Sequence, residues 1–200
     1  MKLIAISGKL RHGKDTLTQL ILDEVNLKQK DILITKIAFA DPIKRVAKLI
    51  YPTLTEHDLW GPSQNRNRII SGYINPKSGE PLIVRDVLTQ IGAWGRSTNE
   101  DCWVNSTFGI IDSIINSNKN KEHLFLISDC RFKNELKAIK EKGGYVVRII
   151  RPSIGFTTSD PSEIDLDDVS LDSFSHVSYN INIEDLGKEA KLIANNVFIE

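Results

Sequence analysis

Glycines at positions 8 and 13, with a lysine directly after the second, give the stretch AISGKLRHGKDTL the Gly-x4-Gly-Lys spacing of a phosphate-binding loop. The spacing carries weight only in context, which is a buried strand entering the loop and an amphipathic helix leaving it. Residues 2–6 supply a short apolar run, and Leu17, Leu20, Ile21 and Val25 recur at helical spacing after Lys14. Gly8 and Gly13 let the backbone wrap so that its N–H groups point inward, and the helix start adds the positive end of its dipole. A polyphosphate fits there. Lys14 then reaches the β and γ phosphates as a point charge, while Leu10, Arg11 and His12 fill the variable positions. His12 reads as a loop side chain and not as a catalyst.

The residue after Lys14 is Asp15, where the common form of the motif has a serine or threonine whose hydroxyl ligates magnesium. A carboxylate is also a hard oxygen ligand, so Asp15 can hold Mg2+ directly or through its waters, with Thr16 adding a hydroxyl. The other reading is a carboxylate that stabilises the first turn of the helix.

Apolar runs alternate with helical patterns along the rest of the chain. Residues 32–40 read as a second strand, and Ile43, Val46, Ala47 and Ile50 follow at helical spacing. Residues 51–100 are rich in Pro, Gly, Asn and Arg around one helical patch at 84–91, and this insertion is expected to carry specificity. A helix at 103–115, the buried strand HLFLISD, and a helix at 134–142 stopped by Gly143-Gly144 come next. The strand YVVRIIRP, a short strand YNINI at 179–183 and a closing helix at 184–195 complete the order. Strands alternating with helices predict an α/β fold whose parallel sheet is covered on both faces. With 200 residues and no abrupt change of composition, the expectation is one domain over residues 1–200. It would hold an insertion at about 41–104 and a lid-like segment at about 153–176. Residues 154–176 contain six acidic side chains and no Lys or Arg, which suits a solvated loop or a lid.

Lys and Arg together number 26, as do Asp and Glu, so no net field draws in nucleic acid or an anionic membrane. Anion specificity must be local. No apolar run is long enough for a membrane span or a signal-peptide core. Cys102 and Cys130 form no CxxC and have no His at metal-ligand spacing, so they read as buried thiols of a cytoplasmic protein.

Asp129 ends the apolar run LFLISD, which would deliver a carboxylate to the sheet edge beside the phosphate loop, or cap the next helix. The residues after Asp129 separate classes of nucleotide-binding protein. A motor ATPase would place a glutamate next, and a regulatory GTPase would need Asn-Lys-x-Asp after a strand; this chain has Asp129-Cys130-Arg131, and Asn118-Lys119-Asn120-Lys121 lacks the aspartate. An arginine just past the strand suits phosphoryl transfer between two bound molecules, with positive charge on the migrating group and the acceptor phosphate.

The motifs SGKLRHGKDT, AFADPIKR, LTQIGAWGRS with DCWVN, ISDCRFKNE, VVRIIRP and PSE occur in an order and spacing that resembles the bacteriophage-type deoxynucleoside monophosphate kinases, from the loop to about Glu163. In that family Gly-Lys-Asp-Thr/Ser is the ordinary form of the loop, so the resemblance makes Asp15 a family trait. It implies a P-loop nucleoside monophosphate kinase-like fold, a three-layer sandwich on a five-stranded parallel sheet with an inserted helical acceptor-binding region and a lid. It also implies Mg2+-dependent transfer of the ATP γ-phosphate to a deoxynucleoside monophosphate. The partners implied are ATP and that monophosphate, with no nucleic acid and no membrane; a homodimer stays open. The acidic run lacks the arginines that many such kinases carry on their lids. The alternatives are another small P-loop kinase, such as one for dephospho-coenzyme A, or a nucleotide-binding regulatory module without catalysis.

Roles follow from position. Gly8, Arg11, Gly13, Lys14, Asp15 and Thr16 are the expected ATP-binding residues of the loop, joined by Arg151, which either meets the donor or pairs with an acidic residue of the lid. Lys14, Asp15 and Arg131 are the expected catalytic set, and Asp15, Thr16 and Asp129 the metal set. Asp129 and Arg131 also face the acceptor. Lys44 follows the second strand, and Arg68, Arg85 and Arg96 populate the insertion, each alone a surface charge or a ligand and together a pool for a phosphate clamp. Trp60 and Trp103 can stack on a base or pack in a core, and Gln90 can read a base edge or the sugar.

If the Asp15 carboxylate serves the metal, Asp15→Ala raises the magnesium concentration for half-maximal rate, and Asp15→Ser recovers part of the loss. A helix-stabilising role alone would lower the thermal midpoint and leave the magnesium dependence unchanged.

Overall fold

The computed structural model describes residues 1–28, 31–153, 160–179 and 182–198. In chain order the first elements are β1 (Lys2–Ser7), α1 (Lys14–Lys28), β2 (Ile32–Ile37), α2 (Ala40–Ile50), α3 (Glu56–Trp60), β3 (Ile69–Ile74), β4 (Pro81–Ile83) and α4 (Val84–Thr98). They are followed by α5 (Cys102–Ser117), β5 (Glu122–Cys130), α6 (Lys133–Glu141), β6 (Tyr145–Ile150), α7 (Pro161–Ile164), β7 (His176–Tyr179) and α8 (Ile183–Phe198). The chain divides into two compact units, one made of Met1–Ala38 and Phe108–Glu200, the other of Phe39–Thr107.

The first unit is built on a five-stranded sheet in the order β2-β5-β1-β6-β7, every neighbouring pair parallel. This is the helix-covered parallel sheet that the alternation of strands and helices predicts. Its central strand β1 is buried on both faces, so Leu3 and Ala5 on one side and Ile4 and Ile6 on the other make it apolar throughout and not alternating. Ile4, Ile6, Leu126, Val147 and Ile149 meet Leu17, Ile21 and Val25 of α1 and Leu186, Ala190 and Ile193 of α8 in one core. Each Leu or Ile buried there contributes about 1.5–3 kcal/mol. On the opposite face α6 lies against β6, where a Cβ on Gly144 would come within 2.5 Å of the Ile139 side chain and 3.0 Å of Leu3.

Parallel pairing puts the carboxyl ends of β1, β5 and β6 at one edge. Ser7, the last residue of β1, is in register with Cys130 of β5 and Arg148 of β6. The Gly8–Gly13 loop therefore starts beside Asp129 and beside the residues leading to Arg151, at the sheet edge where α/β folds hold ligands.

Two expectations need correction. The last strand is His176–Tyr179 and not YNINI: Val177 and Ser178 pair with Arg148 and Ile149, Asn180 and Ile181 lie outside the described residues, and Ile183 already begins α8. The acids Glu184 and Asp185 in the first turn favour that helix start. Residues 51–100 also hold more than one helical patch. Thr55 caps α3 reciprocally, its hydroxyl accepting the Asp58 N–H at 3.2 Å and its own N–H donating to the Asp58 carboxylate at 2.7 Å. Strands β3 and β4 form an antiparallel hairpin whose outer residues are mostly exposed, so no apolar alternation marked it. The core of this second unit gathers Ala47, Leu59, Ile70, Val87, Ile91 and Trp103.

The turn between β5 and α6 is held by Glu135, which accepts the N–H groups of Arg131 at 2.7 Å and Phe132 at 3.0 Å. Burial, with the Asp129 carboxylate nearby, pushes the Glu135 carboxyl up to about 8 against those two bonds. Glu135→Ala leaves both N–H groups without this acceptor and should lower the unfolding free energy by about 1–3 kcal/mol, with Glu135→Gln costing less because its amide oxygen can accept them. Equal urea midpoints for the alanine variant and the wild type would remove this role.

Candidate active site

The loop takes its shape from close approach to β6. A Cβ on Gly8 would come within 2.6 Å of the Ile149 side chain and 2.7 Å of its carbonyl oxygen. Arg11 at φ 64° and Gly13 at φ 95° turn the backbone through the left-handed region, and the His12 N–H closes the turn on the Lys9 carbonyl at 3.2 Å. His12 is buried, and its Nδ1 lies 3.3 Å from both the Ile149 carbonyl oxygen and the Arg151 N–H, bonding to one or the other according to tautomer. It pins the loop to the end of β6, and burial lowers its pKa toward the neutral ring. α1 begins at Lys14, whose carbonyl accepts the Thr18 hydroxyl at 2.7 Å.

Lys14 is the centre of the charge distribution. Its Nζ donates to the Lys9 carbonyl oxygen at 2.7 Å. Burial first, then the Arg131 guanidinium, pull its pKa down to about 8, while the carboxylates of Glu163, Asp15 and Asp129 pull the other way. The structure thus brings together Lys14, Asp15, Asp129 and Arg131, the residues expected on both sides of the transferring phosphate. Arg131 is itself enclosed. Burial works against its charge, but the Glu163 and Asp129 carboxylates hold the guanidinium above its ordinary value.

In the described part of the acidic run Asp160, Asp167, Asp168 and Asp172 are exposed, but the segment also packs and pairs. Glu163 pairs with Arg131 and accepts the Leu10 N–H at 2.7 Å, and Asp167 pairs with Lys9 at 2.6 Å. Arg148 reaches Asp167 at 3.7 Å while donating to the Ser7 hydroxyl at 2.9 Å. Leu166 and Phe174 are buried, and the Lys133 N–H donates to Asp165 at 2.7 Å. Glu163, Asp167, Lys9, Arg148 and Glu135 were not singled out from sequence. The signal for Arg148 was present, since a lone cation inside the apolar run YVVRII needs a buried partner. Glu163 lay within the PSE motif, but nothing local tied it to Leu10 or Arg131.

Arg11, Asp15 and Thr16 are exposed, and Asp129 is half-buried. Among the described residues no group of three or more His, Cys, Asp or Glu side chains is arranged to hold a metal. That donor set fits Mg2+, which keeps several waters and takes one or two carboxylates together with substrate phosphates. Arg151 follows β6, half-buried, and its Nε is buried with no hydrogen-bond partner among the described residues.

In the second unit, several predicted acceptor residues already have protein partners. Lys44 is buried and pairs with Asp41 at 2.9 Å, 5.5 Å from the Trp60 ring, whose indole N–H also donates to Asp41 at 2.8 Å. Arg68 grips Asp58 through Nε at 2.6 Å and Nη2 at 2.8 Å. Burial would raise the Asp58 pKa, but the bonds from Arg68 and Thr55 bring it down to about 2. Arg85 donates to the Ser63 carbonyl at 3.2 Å and approaches the Asn67 side chain. Trp103 is buried, donating its indole N–H to the Gly92 carbonyl at 2.9 Å and filling the space beside Gly95. Gln90 is exposed on α4, and Arg96 folds back toward Gly92.

Both cysteines are free, Cys130 is buried, and burial pushes its thiol up. Among the described residues no helix is long and apolar enough to cross a membrane.

No family model matches the chain. Comparison with curated proteins finds it 27% identical over 176 residues to a protein of Acanthamoeba polyphaga mimivirus provisionally named deoxynucleotide monophosphate kinase, covering 83% of this chain and 82% of that one. Among solved structures it is similar to an unliganded sugar kinase from Janibacter sp. HTCC2649, with a TM-score of 0.42 and 11% identity over 99% of this chain and 96% of that one. The resemblance read from the motifs is thus met by a named relative over most of both chains, and that relative supports a kinase function.

The depressed Lys14 pKa has a measurable sign. The amine is charged less readily here than at its ordinary value of 10.5, so it detracts from stability below about pH 8 and the cost fades as pH rises further. A polyphosphate beside it restores the proton. Calorimetry near pH 8.5 in buffers of different ionisation enthalpy should therefore show proton uptake on ATP binding that disappears in Lys14→Arg, whose side chain stays charged. Buffer-independent binding heat in the wild type would overturn the assignment.

Proposed function

We propose that this chain is a Mg2+-dependent kinase that moves the γ-phosphate of ATP to a deoxynucleoside monophosphate, releasing ADP and the diphosphate. The observation that carries the reading is the gathering of Lys14, Arg131, Asp15 and Asp129 at a glycine-shaped loop between β1 and α1. The name of the viral relative points to the same substrate class.

In this reading the β and γ phosphates lie on the N–H groups between Gly8 and Gly13 and at the start of α1. Lys14 leaves the Lys9 carbonyl for the phosphate oxygens. An oxygen of the acceptor phosphate attacks the γ phosphorus, the bond to the β–γ bridging oxygen breaks, and the electron pair leaves on ADP. Arg131 meets the negative charge that spreads over the migrating group. Asp15, Thr16 and Asp129 would hold Mg2+, which when bound neutralises charge on the β and γ oxygens. Arg151 serves the donor side. The second unit is the proposed acceptor-binding part, with Lys44, Arg68, Arg85, Gln90, Arg96 and Trp103 as its candidate residues; Lys44, Arg68, Arg85 and Trp103 already have protein partners there.

Incubation with ATP, Mg2+ and a panel of deoxyribonucleotides, ribonucleotides and dephospho-coenzyme A, followed by product chromatography, tests the reading. Deoxynucleoside diphosphate and ADP should appear together, with deoxyribose preferred, and Lys14→Ala should lower turnover by roughly 10²-fold or more while the melting curve keeps its cooperativity. Equal use of both sugars, or activity on dephospho-coenzyme A alone, would overturn the substrate assignment; near-normal turnover of Lys14→Ala would remove the loop from the chemistry.

A further inference from the structure

Glu163 makes and breaks no bond in the transfer, yet it touches two parts of the machinery. Only 8% of its side chain is exposed, and its two oxygens are divided. Oε2 accepts the Leu10 N–H of the phosphate loop at 2.7 Å, and Oε1 accepts from Nη1 of Arg131. The Ser162 carbonyl oxygen lies 3.4 Å from the same Nη1. The carboxylate is held on both sides in the chain: Asp160 accepts the Ser162 N–H at 2.9 Å, and Asp165 and Asp167 fasten to Lys133 and Lys9.

A guanidinium offers five donors in a rigid planar fork. Glu163 and Ser162 use only the Nη1 end of Arg131, and among the described residues Nε and Nη2 make no hydrogen bond. A carboxylate that merely filled an empty anion site would be expected to take the open edge of the fork. This one takes the end and leaves the edge for a phosphoryl group.

We propose that Glu163 is a positioning residue for phosphoryl transfer, tying Arg131 to the Leu10 N–H so that the open edge of the guanidinium stays in register with the phosphates held by the loop. The inference rests on the kinase reading of the site. The acidic run, which brings no cation of its own, contributes by aiming a cation that comes from the end of β5.

Steady-state kinetics on Glu163→Gln, Glu163→Asp, Arg131→Ala and the double variant Arg131→Ala/Glu163→Gln test it, with ATP and the best monophosphate of the panel. Glu163→Gln keeps an acceptor for Leu10 but loses the charge on Arg131, and kcat should fall roughly 10- to 100-fold with KM for ATP within about twofold. Glu163→Asp keeps the charge at shorter reach and should fall between that variant and the wild type. In the Arg131→Ala background, Glu163→Gln should cost less than about twofold more, because the group it aims is gone. An equal loss in both backgrounds would make Glu163 a fold-supporting residue only, and a lower KM for ATP with unchanged kcat would make it a competitor of phosphate; either overturns the inference. A wild type that transfers phosphate to no member of the panel sinks the kinase reading and this inference with it, whereas an active wild type with an indifferent Glu163→Gln sinks this inference alone.

Discussion

The backbone of β6 passes so near the phosphate loop that a side chain at Gly8 would meet the Ile149 carbonyl oxygen at 2.7 Å. Much else in the site depends on that approach. It brings His12 under the end of β6, where its ring meets the Ile149 carbonyl and the Arg151 N–H. It also fixes where the loop lies relative to β5, because Ser7 is in register with Cys130 on one side and Arg148 on the other. A loop lifted off β6 would lose its place beside Asp129 and Arg131.

The second organising fact is a dense patch of both charges on a chain with no net charge. Lys9, Arg131 and Arg148, from the loop, the end of β5 and β6, pair with Glu163 and Asp167 of one acidic segment, and the Glu163 charge also acts on Lys14 of α1. Exposed pairs of this kind are worth about 0–1 kcal/mol each. Arg131 and Glu163 differ because both are largely enclosed, so removing one leaves a poorly solvated charge on the other.

The main strands and the loop were legible in sequence because their signals are local: an apolar run, two glycines at fixed spacing and a helix at 3.6-residue period need no distant partner, and alternation with helices then implied parallel pairing. Asp129 was legible as a carboxylate closing an apolar strand. The hairpin at 69–83 was not, since its strands show no alternating apolar face. Glu163 was not either: a carboxylate in an acidic run looks solvated until the chain returns to place it on Arg131 and Leu10. Trp103 and Arg68 show the reverse. In sequence each was open to a ligand role or a plain one; the structure shows the indole donating to the Gly92 carbonyl and the guanidinium to Asp58, and only tertiary structure shows such contacts.

The bond from the Lys14 ammonium to the Lys9 carbonyl gives the buried cation a partner within its own loop. With the His12 N–H at 3.2 Å, it ties the Lys9 carbonyl oxygen to two donors of the same loop. On the proposed function, a polyphosphate at Lys14 would displace this partner before gaining its own, so its affinity would measure a difference between two uses of a single cation. On that reading a weak or singly charged anion would gain less from the exchange than a chain of phosphates would.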